Sequence, residues 1–201
     1  MKEEYKEIGM IFNTEMVRAI LSGQKTQTRR LLKWQPCGRG FTYNTLRHPK
    51  TFMACHADVH SPLCAGDRIY VRETWCRLPK FNERTETPIE GTEQYYYRAD
   101  GENPTPYTCF TDKDGELDLD KEKVFPTWKP SIHMPKEAAR IWLAIKKVRC
   151  ERVNNISYKD AIAEGCSSIN NFLDLWYSIY GIDTKKDNFY VWVYEFERIE
   201  K

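Results

Sequence analysis

Lys25 and Thr28 stand three residues apart in the stretch Ile20 to Arg30, ILSGQKTQTRR, and pair a cation with a hydroxyl. A polar, cationic segment that runs out of a short helix into a strand places both near the mouth of whatever the fold encloses. Glu164 is the third residue that stands out. It falls in the last turn of a predicted helix, just before Gly165, where the carbonyl end is partly negative and Lys or Arg is the usual choice. Violations of local preference concentrate at functional or strained positions. A cation must offset the cost if Glu164 is buried, and Lys25 is the candidate partner. The bland reading of Lys25 and Thr28 is a solvated basic turn.

The charge distribution around them is uneven. The chain carries 31 Lys and Arg against 29 Asp and Glu, yet no acid falls between Glu15 and Asp58. Arg18, Lys25, Arg29, Arg30, Lys33, Arg39, Arg47 and Lys50 lie in that interval, interleaved with Trp34, Phe41, Tyr43 and Phe52. Cations mixed with aromatics suit phosphate contact and base stacking together, so a modified nucleoside or single-stranded nucleic acid is the expected partner. The same charges also read as an ordinary solubilising loop.

The elements that must position these residues follow from punctuation and period. Gly9 to Phe12 reads as a first strand. Asn13 or Thr14 caps a helix carrying Val17, Ile20 and Leu21, and Gly23 ends it. Residues 33–62, with Pro36, Gly38, Gly40, Pro49 and Pro62, read as a long loop. Arg68 to Trp75 alternates as one strand, with Ile69 and Val71 on one face and Arg68, Tyr70 and Arg72 on the other. Gln94 to Ala99 is a strand closed by Asp100-Gly101. Residues 107–111 and 117–119 form an acidic hairpin whose glycine is wrongly placed for a calcium loop. Phe125 to Pro135 is irregular because of its prolines, and Lys136 to Ala139 makes one helical turn. A strand runs from Arg140 to about Val153. Ser157 caps a helix through Glu164, and Phe172, Leu175, Trp176 and Ile179 mark an amphipathic helix stopped by Gly181. Phe189 to Phe196, FYVWVYEF, is a strand covered on both faces.

No apolar run is long enough to span a bilayer, and the charged start MKEEYKEIGM lacks a signal-peptide core. Seven cysteines without such a signal suit a reducing cytoplasm, which is the expected location. Cys37, Cys55, His56, His60 and Cys64 could form a zinc cluster, but no C-x₂-C pair is present, so no metal or other cofactor is expected. Oligomeric state is left open. Short strands, few helices and a central final strand point to an α+β fold. We expect a small mixed β-barrel with short helices at its openings, and one domain over 1–201 with insertions at about 33–62 and 78–130.

Three pieces of this order resemble the ASCH family of PUA-like barrels: the opening strand and helix with ILSGQKTQTRR, the GDRIYVRE strand, and ISYKDAIAEG with the helix and strand that follow. GDRIYVRETW, YRAD, WKPSIHMP and the ending LWYSIYG…YVWVYEF are similar to a phage or prophage branch of that family. The resemblance covers about two thirds of the chain. Small bacterial members are amidohydrolases that release the acetyl group of N4-acetylcytidine. Their K-T-x-T segment corresponds to Lys25-Thr26-Gln27-Thr28 and their glutamate to Glu164, so the resemblance implies Lys25, Thr28 and Glu164 as the catalytic set.

Amide hydrolysis needs a nucleophile, a base and a donor for the developing oxyanion. Thr28 can supply the hydroxyl or orient a water. Lys25 can be the base, or the cationic oxyanion donor with Glu164 as the base. Base recognition needs stacking surfaces and fixed polar groups, for which Arg29, Arg72, Glu73, Trp75, Trp128 and His133 are the candidates. Core packing is the competing reading of either tryptophan. Two functions therefore stand side by side. One is a hydrolase acting on an acylated base; the other is a non-catalytic PUA-like module that binds RNA, DNA or a modified base.

Overall fold

The structure is a computed structural model that describes residues 5–32, 61–79, 91–101, 127–181 and 188–200. Those residues form seven strands: β1 (Glu7–Ile11), β2 (Gln27–Leu31), β3 (Arg68–Arg72), β4 (Trp75–Leu78), β5 (Gln94–Tyr97), β6 (Trp142–Arg152) and β7 (Tyr190–Ile199). Three helices accompany them: α1 (Thr14–Leu21), α2 (Tyr158–Ala163) and α3 (Ile169–Tyr180). The five-stranded sheet runs β1-β3-β6-β7-β2, and β4 pairs with β5 in a second, two-stranded sheet.

This is the expected α+β composition without the expected closure. Among the described residues β1 and β2 remain the edges of an open sheet, so no strand pair seals a barrel. The chain divides into two compact units. One holds Met1–Ile8, Ala19–Tyr70 and Ile141–Lys201, the other Gly9–Arg18 and Val71–Arg140. Residues 33–60 of the loop expected at 33–62, the acidic hairpin, Cys37, Cys55, His56 and His60 lie outside the described residues. Cys64 is a free, exposed thiol.

In the first unit the long strands β6 and β7 pair antiparallel from Trp142↔Ile199 to Arg152↔Tyr190, with an irregularity between Ile145 and Lys147. β7 also takes β2 on its other side, Gln27↔Glu195 through Leu31↔Val191. Along β7 Val191, Val193, Tyr194 and Phe196 are buried, whereas Tyr190, Trp192 and Glu195 are half-buried and Glu197 is exposed, so the cover expected on both faces is incomplete. Val191 and Val193 join Val153, Ile156, Ala161, Cys166, Phe172 and Trp176 in one core.

Caps fix the helices. Asn13 Oδ1 accepts from Met16 N at 2.8 Å to start α1, and Ser157 Oγ accepts from Asp160 N at 3.1 Å to start α2. Gly23 and Gly165 take the positive φ that ends each (79° and 85°). On α3 the buried stripe differs in its last member from the one read in the sequence. Ile179 is 54% exposed, and Tyr180 instead follows Phe172 and Trp176 at a spacing of four.

The expected single strand over 68–75 is two. β3 ends at Arg72, and β4 begins at Trp75 to pair with β5, Trp75↔Tyr97 through Leu78↔Gln94. The break has a cause. Glu73 is drawn into the interior to meet Arg140, and the Thr74 carbonyl accepts from Arg98 N at 3.0 Å. The proline-rich segment is irregular as expected, with short 3-10 turns at Ser131–His133 and Lys136–Ala138.

Candidate functional site

The turn after α1 aims Lys25 at the end of α2. Lys25 N donates to Ala19 O at 2.9 Å and Thr26 N to Ala163 O at 2.9 Å, which locks the segment against the helix terminus. Gly165 permits the approach: a Cβ there would lie 2.9 Å from Ala19 Cβ and 3.4 Å from Lys25 Cβ. The Lys25 side chain has no exposed surface. Its ammonium donates to Glu164 Oε2 at 2.8 Å and to the Glu164 backbone carbonyl at 2.7 Å. One cation thus neutralises the carboxylate and caps the negative end of α2.

Arg29 holds the other carboxylate oxygen, Nη1 to Glu164 Oε1 at 2.9 Å. Its guanidinium also bonds Glu151, through Nε at 3.1 Å and through Nη2, and lies 3.4 Å from Asp160. With no side-chain exposure and three carboxylates around it, Arg29 is committed inside the protein. Arg149 continues the network. It donates to Glu151 at 3.2 Å and Asp160 at 3.0 Å and pairs with Glu195. Burial works against the charge on Asp160, but the Ser157 hydroxyl and the guanidinia of Arg29 and Arg149 outweigh it and hold its carboxyl below the usual range. Burial lowers the pKa of Arg30, against the opposing pull of Tyr180 and Glu164.

Thr28, expected near the mouth of the fold, is buried, and strand alternation turns it away from Gln27 and Arg29. Gln27 Nε2 donates to Asp160 O at 3.0 Å, on the network side. Thr28 and Arg30 occupy the opposite side, with Thr28 in register with Tyr194. No hydrogen bond among the described residues joins the Thr28 hydroxyl to Lys25 or Glu164. Lys25, Arg29 and Glu164 therefore meet, and Thr28 is not hydrogen-bonded into that group.

The remaining candidates belong to the second unit. Both oxygens of Glu73 are taken by Arg140, at 3.0 and 3.2 Å. Arg72 donates to the Ile132 carbonyl, while its buried Nε has no partner among the described residues. Trp75 is 5% exposed, packs edge-on to Tyr95 at 5.7 Å and has Lys129 Nζ 5.0 Å from its ring. Trp128 is half-buried and His133 exposed. No group of three His, Cys, Asp or Glu among the described residues is arranged to hold a metal ion.

Glu151, Asp160, Arg149 and Glu195 are the members of the network that pattern reading passes over. Their one local signal is Glu195, an acid inside the otherwise apolar run Phe189 to Phe196. No helix of the described residues is long and apolar enough to cross a membrane.

No family model matches the chain, and no curated protein does. Two solved structures are similar to it. One is an ASCH domain from Lactobacillus crispatus JV V101, 11% identical, with a TM-score of 0.45 over 99% of this chain and 84% of that one. The other is protein EF3133 from Enterococcus faecalis V583, of family DUF984, 12% identical, with a TM-score of 0.41 over 100% of this chain and 84% of that one. Scores of this size leave any functional reading to the motifs and the side chains.

Proposed function

We propose that the chain is an ASCH-type amidohydrolase that removes an acyl group from a modified base such as N4-acetylcytidine, with Lys25, Thr28 and Glu164 at its centre. The observation that carries the reading is the contact between Lys25 and Glu164, two residues 139 positions apart that meet at 2.8 Å in the interior. The motif resemblance selects the same two residues on separate grounds. In this scheme water attacks the amide carbonyl. Glu164 takes the proton through lone pairs left over after each oxygen has accepted one bond from a cation. Lys25 spends two of its three N–H donors on Glu164, and the third supports the oxyanion. Collapse breaks the C–N bond and expels the exocyclic N4 amine, which takes the water proton from Glu164, and acetic acid leaves and ionises to acetate. Thr28 enters this scheme on the motif resemblance alone, because it faces the side of β2 opposite Arg29. This assignment makes Lys25 the donor rather than the base.

The binding module is the second reading, and the closure of the same network favours it. Both Glu164 oxygens are engaged, and Lys25 has no exposed side-chain surface. Incubation of the purified protein with N4-acetylcytidine separates the two. The hydrolase releases cytidine and acetate, and Lys25→Met abolishes release. A nucleoside-induced rise in melting temperature without cytidine would leave the binder. Neither response would remove both readings.

A further inference from the structure

A guanidinium beside a carboxylate favours the fork, two parallel N–H bonds to two oxygens. Arg140 grips Glu73 in that way, at 3.0 and 3.2 Å. Arg29 holds Glu164 differently. Only its Nη1 donates, to Oε1 at 2.9 Å, and the second oxygen belongs to Lys25 at 2.8 Å. The cause lies on the other edge of the same guanidinium. Nε and Nη2 both donate to a single oxygen of Glu151, Oε1. The second Glu151 oxygen accepts from Arg149 Nε at 3.2 Å. Arg149 is fixed in turn by Asp160 at 3.0 Å and by Glu195. β6, which carries Arg149 and Glu151, thus sets how Arg29 is turned on β2.

Without Glu151 the guanidinium has few places to turn. Its side chain has no exposed surface, so a released N–H needs an acceptor inside the protein. Asp160 lies 3.4 Å from Nη2, but its carboxylate is already engaged by the Ser157 hydroxyl at 2.9 Å and by Arg149. Glu164 is the carboxylate that remains. Nη1 and Nη2 forked on it would occupy both oxygens and compete with Lys25 for Oε2. We propose that Glu151 is a positioning residue for the Lys25–Glu164 pair: by holding the Nε and Nη2 edge of Arg29 it keeps that guanidinium from forking onto Glu164 and leaves Oε2 to Lys25. Its effect on turnover rests on the reading of the pair as a hydrolase centre, because a forked Glu164 loses the lone pair that would take the water proton. Glu151 holds Arg29 whether or not the pair turns over a substrate.

Glu151→Gln tests it, since the amide keeps the shape and removes the charge that holds Arg29. The first readout is the ¹⁵N resonance of the Lys25 ammonium, which should shift in the variant as Lys25 gives up Glu164 Oε2. Glu197→Gln is the control. It removes the same charge from β7, where Glu197 is 54% exposed and pairs with Lys146 at 2.5 Å, and it should leave the Lys25 resonance in place. Where the parent protein releases cytidine from N4-acetylcytidine, Glu151→Gln should lower kcat about tenfold with KM nearly unchanged, the scale of one misdirected charge-assisted hydrogen bond. Lysine cannot fork, so in an Arg29→Lys background the same substitution should lower kcat no further. A Lys25 resonance unmoved by Glu151→Gln overturns the proposal, whether or not cytidine is released. So does an equal further loss of kcat in the Arg29→Lys background. A shifted resonance without any cytidine removes the hydrolase and leaves the positioning role standing. Should Glu151→Gln fail to fold, Glu151→Asp, which keeps the charge but is too short to hold Arg29 and Arg149 together, should give the same shift, and its absence there overturns the proposal.

Discussion

Two buried glutamates, one in each compact unit, are held by arginine in opposite ways. Glu73 is 1% exposed, and a single guanidinium covers both of its oxygens. Arg140 then spends its other edge on Asp100, at 2.8 and 2.9 Å, and stacks 4.0 Å from the Tyr97 ring centroid. Burial raises the Glu73 pKa more than Arg140 lowers it. Arg140 responds the other way, its pKa raised because the bonds to Glu73 and Asp100 outweigh burial. The desolvation penalty thus falls on the partner that is sealed, since the Arg140 side chain keeps 27% of its exposure. Glu164 instead divides its oxygens between two cations from one segment, Lys25 and Arg29. A fork on one carboxylate is a staple. A carboxylate shared by separate donors keeps lone pairs in different directions, and that is the arrangement a proton-transfer site needs.

The comparison breaks most visibly at Glu164. Glu164→Gln should lower cytidine release at least a hundredfold if the residue is the base, the usual scale for an acid–base group. Relief of a charge at a helix C-terminus would by itself raise stability by a few tenths of a kcal/mol. The pair is buried, so the penalty of leaving Lys25 without its partner dominates, and the variant should lose about 3–5 kcal/mol by denaturant titration. Retained activity would remove Glu164 from catalysis; retained stability would show that the pair opens to solvent.

Gly165→Ala tests how closely α2 must approach Lys25. The added methyl meets Ala19 Cβ at 2.9 Å at a φ of 85°, which should cost about 2 kcal/mol. Gly23→Ala is the control: its φ is 79°, but nothing lies within 4 Å of the new Cβ. The difference between the two melting temperatures isolates the close approach from backbone strain. Equal losses would mean that the helix end does not constrain Lys25.

Tyr97→Phe probes the second unit. The Tyr97 hydroxyl donates to Ala138 O at 2.7 Å, and burial, opposed by Arg140, pushes its pKa up to about 12. A folded-state pKa above the unfolded value of about 10 means stability that is full below pH 10 and lost as pH rises through about 12. The variant should be about 1 kcal/mol less stable at neutral pH, from one lost hydrogen bond, with a shallower decline across that alkaline window. Burial also raises Tyr194, so the slope should shrink rather than vanish. An unchanged alkaline limb would place the Tyr97 hydroxyl in water.

Much of this was legible because it is local. Ser157, Gly165 and the period of the intervening residues define α2 without reference to anything else, and Glu164 is conspicuous against the helix end it occupies. Charge asks only for a cation beside it; the motif resemblance is what names Lys25 among the 31 Lys and Arg. The break between β3 and β4 was not legible, because Ile69, Val71, Glu73 and Trp75 keep one alternation straight through it. What changes there is the neighbour each half pairs with, and that is decided by residues far along the chain. Ile179 and Tyr180 are both apolar enough to face inward, and it is Tyr180 that stacks on Trp176, at 4.2 Å between ring centroids. Arg29 illustrates the same limit. Its type and place among other cations suggest a ligand contact, whereas Glu151 and Asp160, more than 120 residues away, convert it into an internal support.

The smallest expected effect sharpens the staple half of the comparison. Asp100 is the outer partner of Arg140, its side chain 43% exposed, so its pairing is screened and contributes little. It also faces Glu73 across the same guanidinium and adds to the rise in the Glu73 pKa. Asp100→Asn removes a weak attraction and a weak repulsion together, so stability at pH 7 should change by no more than about 0.5 kcal/mol. The pH dependence should still move. A carboxyl whose folded pKa is raised destabilises the fold as pH climbs from the ordinary carboxylate value through the folded one, because the folded state holds the proton longer. Without Asp100 the folded pKa of Glu73 drops towards the ordinary value, and this loss should become smaller and finish at lower pH. Glu73→Gln should remove it. Acid-limb melts of the three proteins measure the effect, and superimposable curves for the parent and Asp100→Asn would show that Arg140 already screens Asp100 from Glu73.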